Sequence, residues 1–158
     1  MAKPARNSNR HAIIASRRIF FITSKASLGR QLLQTQATAE LLIDVLRSNT
    51  LAGKFKVREF VVMPDHLHAL ISLDDHISVE RAMQLIKGGY SFRYKKELGL
   101  TGEIWQPGYS EVRIMDKKSY LAHKKYTDNN PVKRGLAASA EEYPYCSAYL
   151  RKQKKASG

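Results

Sequence analysis

Apolar residues alternate with polar ones in some stretches and recur at three- and four-residue spacing in others, and the changes of period mark out the elements. Residues 10–25, RHAIIASRRIFFITSK, are rich in β-branched and aromatic side chains and predict a first strand. From Ser27 the period lengthens. Leu28, Leu32, Leu33, Leu41, Leu42, Val45 and Leu46 recur at helical spacing, with Ser27 as N-cap and Gly53 as stop. Residues 54–63, KFKVREFVVM, predict a second strand, Pro64-Asp65 a turn, and residues 66–73, HLHALISL, a third strand antiparallel to the second. Ser78 caps a second helix over 79–99 that carries Gly88-Gly89 in its middle. Each glycine there costs roughly 1 kcal/mol relative to alanine, so the pair points to a close backbone approach or a bend. Residues 103–115 form a fourth extended segment. Asp116 caps a third helix over 117–130, which Pro131 is expected to end at or near Asn130.

The order strand, helix, strand, strand, helix, strand, helix is that of a ferredoxin-like βαββαβ sheet with one helix added. The expected fold class is α+β, an antiparallel sheet with helices packed on one face plus a C-terminal helix. One domain is expected over 10–150. A flexible basic N-terminal arm, 1–9, and a frayed basic C-terminal tail, 151–158, flank it.

Charge changes the picture more than composition does. The 158 residues hold 27 Lys and Arg against 14 Asp and Glu, a formal net charge of +13. Such a field attracts polyanions, nucleic acid first among them. Lys3, Arg6, Arg10, Arg17, Arg18, Lys25 and Arg30 all precede the first acidic residue, Glu40. Candidate phosphate contacts are Arg17, Arg18, Lys87, Arg93, Lys117, Lys118, Lys124 and Lys125, each with the alternative of a solvated surface charge. Trp105 and Tyr90 either stack on unpaired bases or belong to the core. The single Cys146 excludes an intrachain disulfide and a Cys-rich zinc site, which fits a reduced, cytoplasmic compartment. No apolar run approaches a membrane span, and no Gly-rich phosphate loop is present.

Candidate chemistry sits in the third strand. Residues i and i+2 of a strand share a face, so His66 and His68 lie together, opposite the apolar set Leu67, Ala69, Ile71 and Leu73. Two imidazoles about 7 Å apart along a strand can converge on one ion, although several divalent metals suit imidazole. In the third helix Tyr126 and Asn130 are spaced i, i+4 and project from one side. Asn130 offers a carbonyl oxygen as a third ligand, and a tyrosine hydroxyl becomes a nucleophile only beside a base or an activated electrophile. The plain alternative is that Tyr126 packs on the core and Asn130 caps the helix. Seven other tyrosines compete, and spacing does not choose among them. His123, one turn before Tyr126, is either near this site or simply on the helix surface.

Four motifs in order, MPDHLHALISL, IKGGYSFRYKKELG, IWQPGYSEVRIMDKKSYLAHKKYTDNNPVKRGLA and EEYPYCSA, resemble the REP-associated tyrosine transposases. These are single-tyrosine HUH transposases, named for His-hydrophobic-His, and the resemblance spans roughly residues 10–150. It implies that Tyr126 is the nucleophile, on a C-terminal catalytic helix. It implies that His66, His68 and Asn130 bind a divalent metal, Mg or Mn. It also implies cleavage of single-stranded DNA beside REP-like hairpins through a 5′-phosphotyrosine, by a monomer or a homodimer, with no membrane partner. Val112, Thr127 and Asp128 depart from the residues common in that family. A non-catalytic single-stranded nucleic-acid-binding module on the same fold is the alternative function.

Overall fold

The computed structural model describes residues 18–157. The expected arm over 1–9, the first half of the expected first strand and Arg17 lie outside the described residues. Four strands, β1 (Arg18–Lys25), β2 (Lys56–Met63), β3 (His66–Leu73) and β4 (Ser110–Ile114), form one sheet in the order β2-β3-β1-β4. Every neighbouring pair is antiparallel. With helices α1 (Gln36–Leu51), α2 (Val79–Leu98), α3 (Lys117–Lys133) and α4 (Ser147–Ser157), this is the expected α+β ferredoxin-like arrangement with added helices.

The sheet is covered on both faces, which is why β1 reads as an unbroken apolar run. Phe20, Ile22, Phe60, Val62, Leu67, Ala69 and Ile71 point to one side and pack with Leu42, Leu46, Met83 and Ile86 of α1 and α2. Their neighbours in sequence point to the other side. There Ile19, Phe21, Leu70 and Ile114 form a second apolar cluster against Tyr120 of α3. The histidines stand on this second face, as alternation along β3 requires.

Helix α1 begins later than its leucine spacing suggests. Thr35, not Ser27, is the N-cap: its Oγ1 accepts from Thr38 N–H at 3.1 Å, and Thr38 Oγ1 accepts from Thr35 N–H at 3.2 Å. Ser27–Gly29 is instead a single 3-10 turn in which Leu28 holds φ +56, a left-handed conformation that stops a helix from propagating. Ser27 Oγ donates to Glu103 across the molecule at 2.7 Å. Leu28 is thereby left 88% exposed, while Leu33 remains in the core.

Helix α2 starts at the expected cap, with Ser78 Oγ accepting from Arg81 N–H, and runs unbroken through both glycines. A Cβ on Gly89 would meet Val45 at an ordinary 3.6 Å and one on Gly88 would meet nothing, so neither a bend nor a tight approach explains the pair. Helix α3 starts at Asp116 as expected, with Oδ1 accepting from Ser119 N–H at 2.7 Å. It runs past Pro131 to Lys133. Pro131 lies in the last turn, where it removes one N–H donor and crowds the preceding turn, but Arg134 and Leu136 still donate to the carbonyls of Asn130 and Pro131.

The expected tail from 151 is the second half of α4, so that boundary falls inside a helix. The segment leading into α4 covers the outer edge of β2. Val62 N–H donates to Tyr145 O at 2.8 Å, Tyr143 Oη donates to Val62 O at 2.6 Å, and Phe60 N–H donates to Ser147 Oγ at 3.0 Å. Beneath them Glu59, buried, receives Ser147 Oγ and both terminal nitrogens of Arg151. An edge strand is thus sealed and the helix anchored by the same contacts. Among the described residues no helix is long and apolar enough to cross a membrane.

Candidate active site

The third strand places His66 and His68 with ring centroids 4.5 Å apart and planes 73° apart. Each ring is held through its Nδ1 by a different partner. His66 Nδ1 lies 2.7 Å from Asp65 Oδ1, and His68 Nδ1 lies 2.8 Å from Thr23 Oγ1 on the neighbouring strand. An ionised carboxylate only accepts, so His66 carries its proton on Nδ1 and presents an unprotonated Nε2. The Thr23 hydroxyl can donate to or accept from His68, so its contact fixes the orientation of that ring and not its tautomer. In both rings Nδ1 is engaged and Nε2 points away from the partner, an orientation that metal-binding histidines share.

Burial disfavours the charged form of both rings. Burial pushes His68 down to about 3, reinforced by the neighbouring charges of His66 and Lys25 and opposed by Asp65. Burial also lowers His66, against the pull of Asp65. For Asp65 burial alone acts upward, but its hydrogen bond to His66 and the charges of His66 and Arg134 outweigh it and hold the carboxyl below its ordinary value.

Helix α3 brings the tyrosine. The Tyr126 ring sits 5.4 Å from that of His68, and the side chain is half exposed. One ring organises the junction: Phe21 of β1 stacks on His68 at 5.1 Å and touches His123 at 4.8 Å and Tyr126 at 6.0 Å. His123 is thus at the site, with Nδ1 against Ser119 O at 2.8 Å. Asn130 follows Tyr126 by one turn and is buried. One turn further, Arg134 reaches Asp65 at 3.6 Å, so Asn130 lies between the turn that touches His68 and the turn that touches the partner of His66. Among the described residues no three His, Cys, Asp or Glu side chains cluster as a metal site. An ion at this pair would draw on Asn130 and on oxygens from outside the chain.

The positions that depart from the family pattern are also placed. Val112 pairs across from Phe21 on β4 and is an exposed apolar flank of the site. Asp128 is roughly 200° round the helix from Tyr126 and pairs with Lys124 at 2.9 Å, away from the histidines.

Four of the eight expected DNA contacts have partners within the chain. Arg18 donates to the carbonyls of Asp74 and Ile77, at the end of β1 opposite the histidines. Lys87 donates to the carbonyls of Gln106 and Gly108, and Arg93 pairs with Asp44 and Glu97. Lys124 is tied to Asp128, while Lys118 and Lys125 are exposed and Lys117 is partly so. Trp105 and Tyr90 are core residues: Trp105 Nε1 donates to Lys87 O, and Tyr90 Oη donates to Thr38 O. Residue reasoning missed Phe21, Thr23, Asp65 as a partner of His66, and Arg134. Only Asp65 had a local signal, its position directly before His66.

Comparisons with known proteins bear on the family and the fold. A family model described as Transposase IS200 like matches residues 22–130. A REP-associated tyrosine transposase of Escherichia coli is 30% identical over 131 residues, covering 80% of this chain and 73% of that protein. A solved structure of a REP-associated tyrosine transposase bound to a REP hairpin superposes with a TM-score of 0.65 at 26% identity, covering 95% of this chain and 84% of the other. A second solved structure, from Deinococcus radiodurans, has a TM-score of 0.55 at 19% identity, covers 70% of this chain and 88% of its own, and shows the fold alone. The chain belongs to the IS200-like transposases and, within them, to the REP-associated tyrosine transposases.

Proposed function

We propose that this protein is a metal-dependent single-stranded DNA endonuclease and strand transferase that acts beside REP-like hairpins through a 5′-phosphotyrosine on Tyr126. One observation carries the reading. A half-exposed phenol from α3 stands against His68, one of two adjoining imidazoles of β3 whose Nδ1 atoms are both already engaged.

The residues fit a divalent ion such as Mg or Mn: two neutral imidazoles and the Asn130 carboxamide offer nitrogen and oxygen donors without net charge, leaving room for phosphate oxygens. When bound, such an ion neutralises charge on the phosphate and on the departing 3′ oxygen. The chain's own residues do the remainder. Asp65 and Thr23 fix the two rings, and Phe21 holds Tyr126 against them. The Tyr126 oxygen attacks phosphorus while its proton leaves to solvent. The phosphorus–O3′ bond breaks, so the 5′ side stays on the tyrosine and the other strand ends in a 3′-hydroxyl. That hydroxyl can reverse the step, because the phosphotyrosine conserves the phosphodiester bond.

The hairpin specificity rests on the likeness to the relative solved with a REP hairpin. The same reading places the protein in the cytoplasm as one catalytic domain. Incubation with hairpin single-stranded DNA and Mn or Mg tests it. Wild type forms a covalent protein–DNA adduct, and Tyr126→Phe forms none. No adduct with wild type rejects it in favour of a binding module, and an adduct with the Phe variant rejects Tyr126 as the nucleophile.

A further inference from the structure

The histidine face continues past Thr23 and Lys25 into a cleft that the arrangement above does not use. Its volume is about 170 Å³, and its lining includes Thr23, Lys25, Gln106, Pro107, Tyr109 and Ser110. Two of those residues also border the histidines. The Thr23 hydroxyl is on His68 Nδ1, and Lys25 stands directly across the ladder from His66.

The outer wall is built, not loose. Gln106 N–H donates to Lys25 O at 2.8 Å, stitching the wall to the end of β1. Lys87 Nζ reaches up from α2 to the carbonyls of Gln106 at 3.1 Å and Gly108 at 2.6 Å. The Lys87 carbonyl accepts in turn from Trp105 Nε1 at 3.1 Å, and the Trp105 ring is buried against Tyr90. Gly108 at φ +79 makes the reversal that closes the wall. A solvated lysine has been recruited to hold a loop in place, which is the kind of support a binding subsite needs.

The cleft presents one cation and one carboxamide, in a space suited to a single base and too small for a base pair. The Tyr109 ring packs on the helix-side core and only borders the cleft. A phosphate and a base edge are the natural counterparts of Lys25 and Gln106. We infer that this cleft seats one unpaired nucleotide adjacent to the scissile phosphate, with Lys25 on its phosphate and Gln106 reading the base edge. This rests on the proposed nuclease function and names a substrate subsite for it.

Binding without metal separates the two ideas. Tyr126→Phe protein in EDTA is titrated with hairpin DNAs in which each nucleotide flanking the cleavage position is made abasic in turn. The subsite predicts that one such position loses affinity by about tenfold, the scale of one base-edge contact, and that Gln106→Ala abolishes that loss. Gln106→Glu, which keeps the side-chain shape, shifts which base is preferred there. Lys25→Ala lowers the salt dependence by about one phosphate contact. Abasic losses that simply add to the Gln106→Ala effect at every position, or an unchanged base preference in Gln106→Glu, overturn the assignment. An unchanged salt slope in Lys25→Ala overturns it as well. If wild type forms no adduct while the binding cycle holds, the nuclease reading fails and the subsite stands.

Discussion

Thr23 Oγ1 lies 2.8 Å from His68 Nδ1, so the orientation of one imidazole of β3 is set from β1. The hydroxyl does for His68 what the Asp65 carboxylate does for His66. Both partners sit outside the set of groups that would touch an ion, and both decide where Nε2 points.

Thr23→Val keeps the shape and removes that hydrogen bond. Mn affinity measured by isothermal titration is expected to fall by about tenfold, the lower end of what outer partners of metal-binding histidines contribute. Thr23→Ser is expected to restore most of it. Equal affinity in the valine variant would show that packing on Phe21 alone orients the ring.

The Glu59–Arg151 pair makes a prediction about the end of the chain. Removing Arg151 leaves a buried carboxylate with only Ser147 for company. Because the arginine is half exposed, the cost of Arg151→Ala falls below that of breaking a fully buried pair, at about 2 kcal/mol. Truncation after Leu150 removes the same contact and is expected to cost a similar amount in urea denaturation. A truncated protein of unchanged stability would contradict the role assigned to α4.

Leu28 combines a left-handed backbone with near-complete exposure. It has conformational strain to lose and almost no burial. Leu28→Asn, a residue that tolerates this region, is expected to raise stability by about 1 kcal/mol. A rise in Tm checks it, and a fall would mean that Leu28 makes contacts in solution that outweigh its strain.

Cys146 is buried beside Val61 and Tyr143, and burial raises its thiol pKa above the ordinary value. Less thiolate is therefore present at pH 8 than in an unfolded chain, and access is blocked as well. Reaction with a disulfide reagent at pH 8 is expected to be slower by about two orders of magnitude in native than in urea-unfolded protein. Comparable rates would mean that the strap over β2 opens readily.

Much of this was legible because it is local. Period-two alternation put His66 and His68 opposite Leu67 and Ile71, and side-chain caps at Ser78 and Asp116 marked two helix starts. The failures share a cause, which is that distant residues decide them. Ser27 looks like a cap until Glu103 takes its hydroxyl. Residues 151–157 look frayed until Glu59, on another strand, anchors Arg151. Arg18, Lys87 and Arg93 have carbonyl or carboxylate partners that the sequence does not announce. At the site, the pairing of Tyr126 with the histidines came from the family resemblance. Thr23 and Phe21 needed the register between β1 and β3, which no single strand encodes.

Among the described residues Phe21 is the one ring that touches His68, His123 and Tyr126 together, and it comes from the first strand, whereas the phenol arrives on the third helix. In order of synthesis the floor is made first, the imidazoles second and the tyrosine last. The site becomes complete only when α3 closes over the sheet and brings the phenol to the imidazoles.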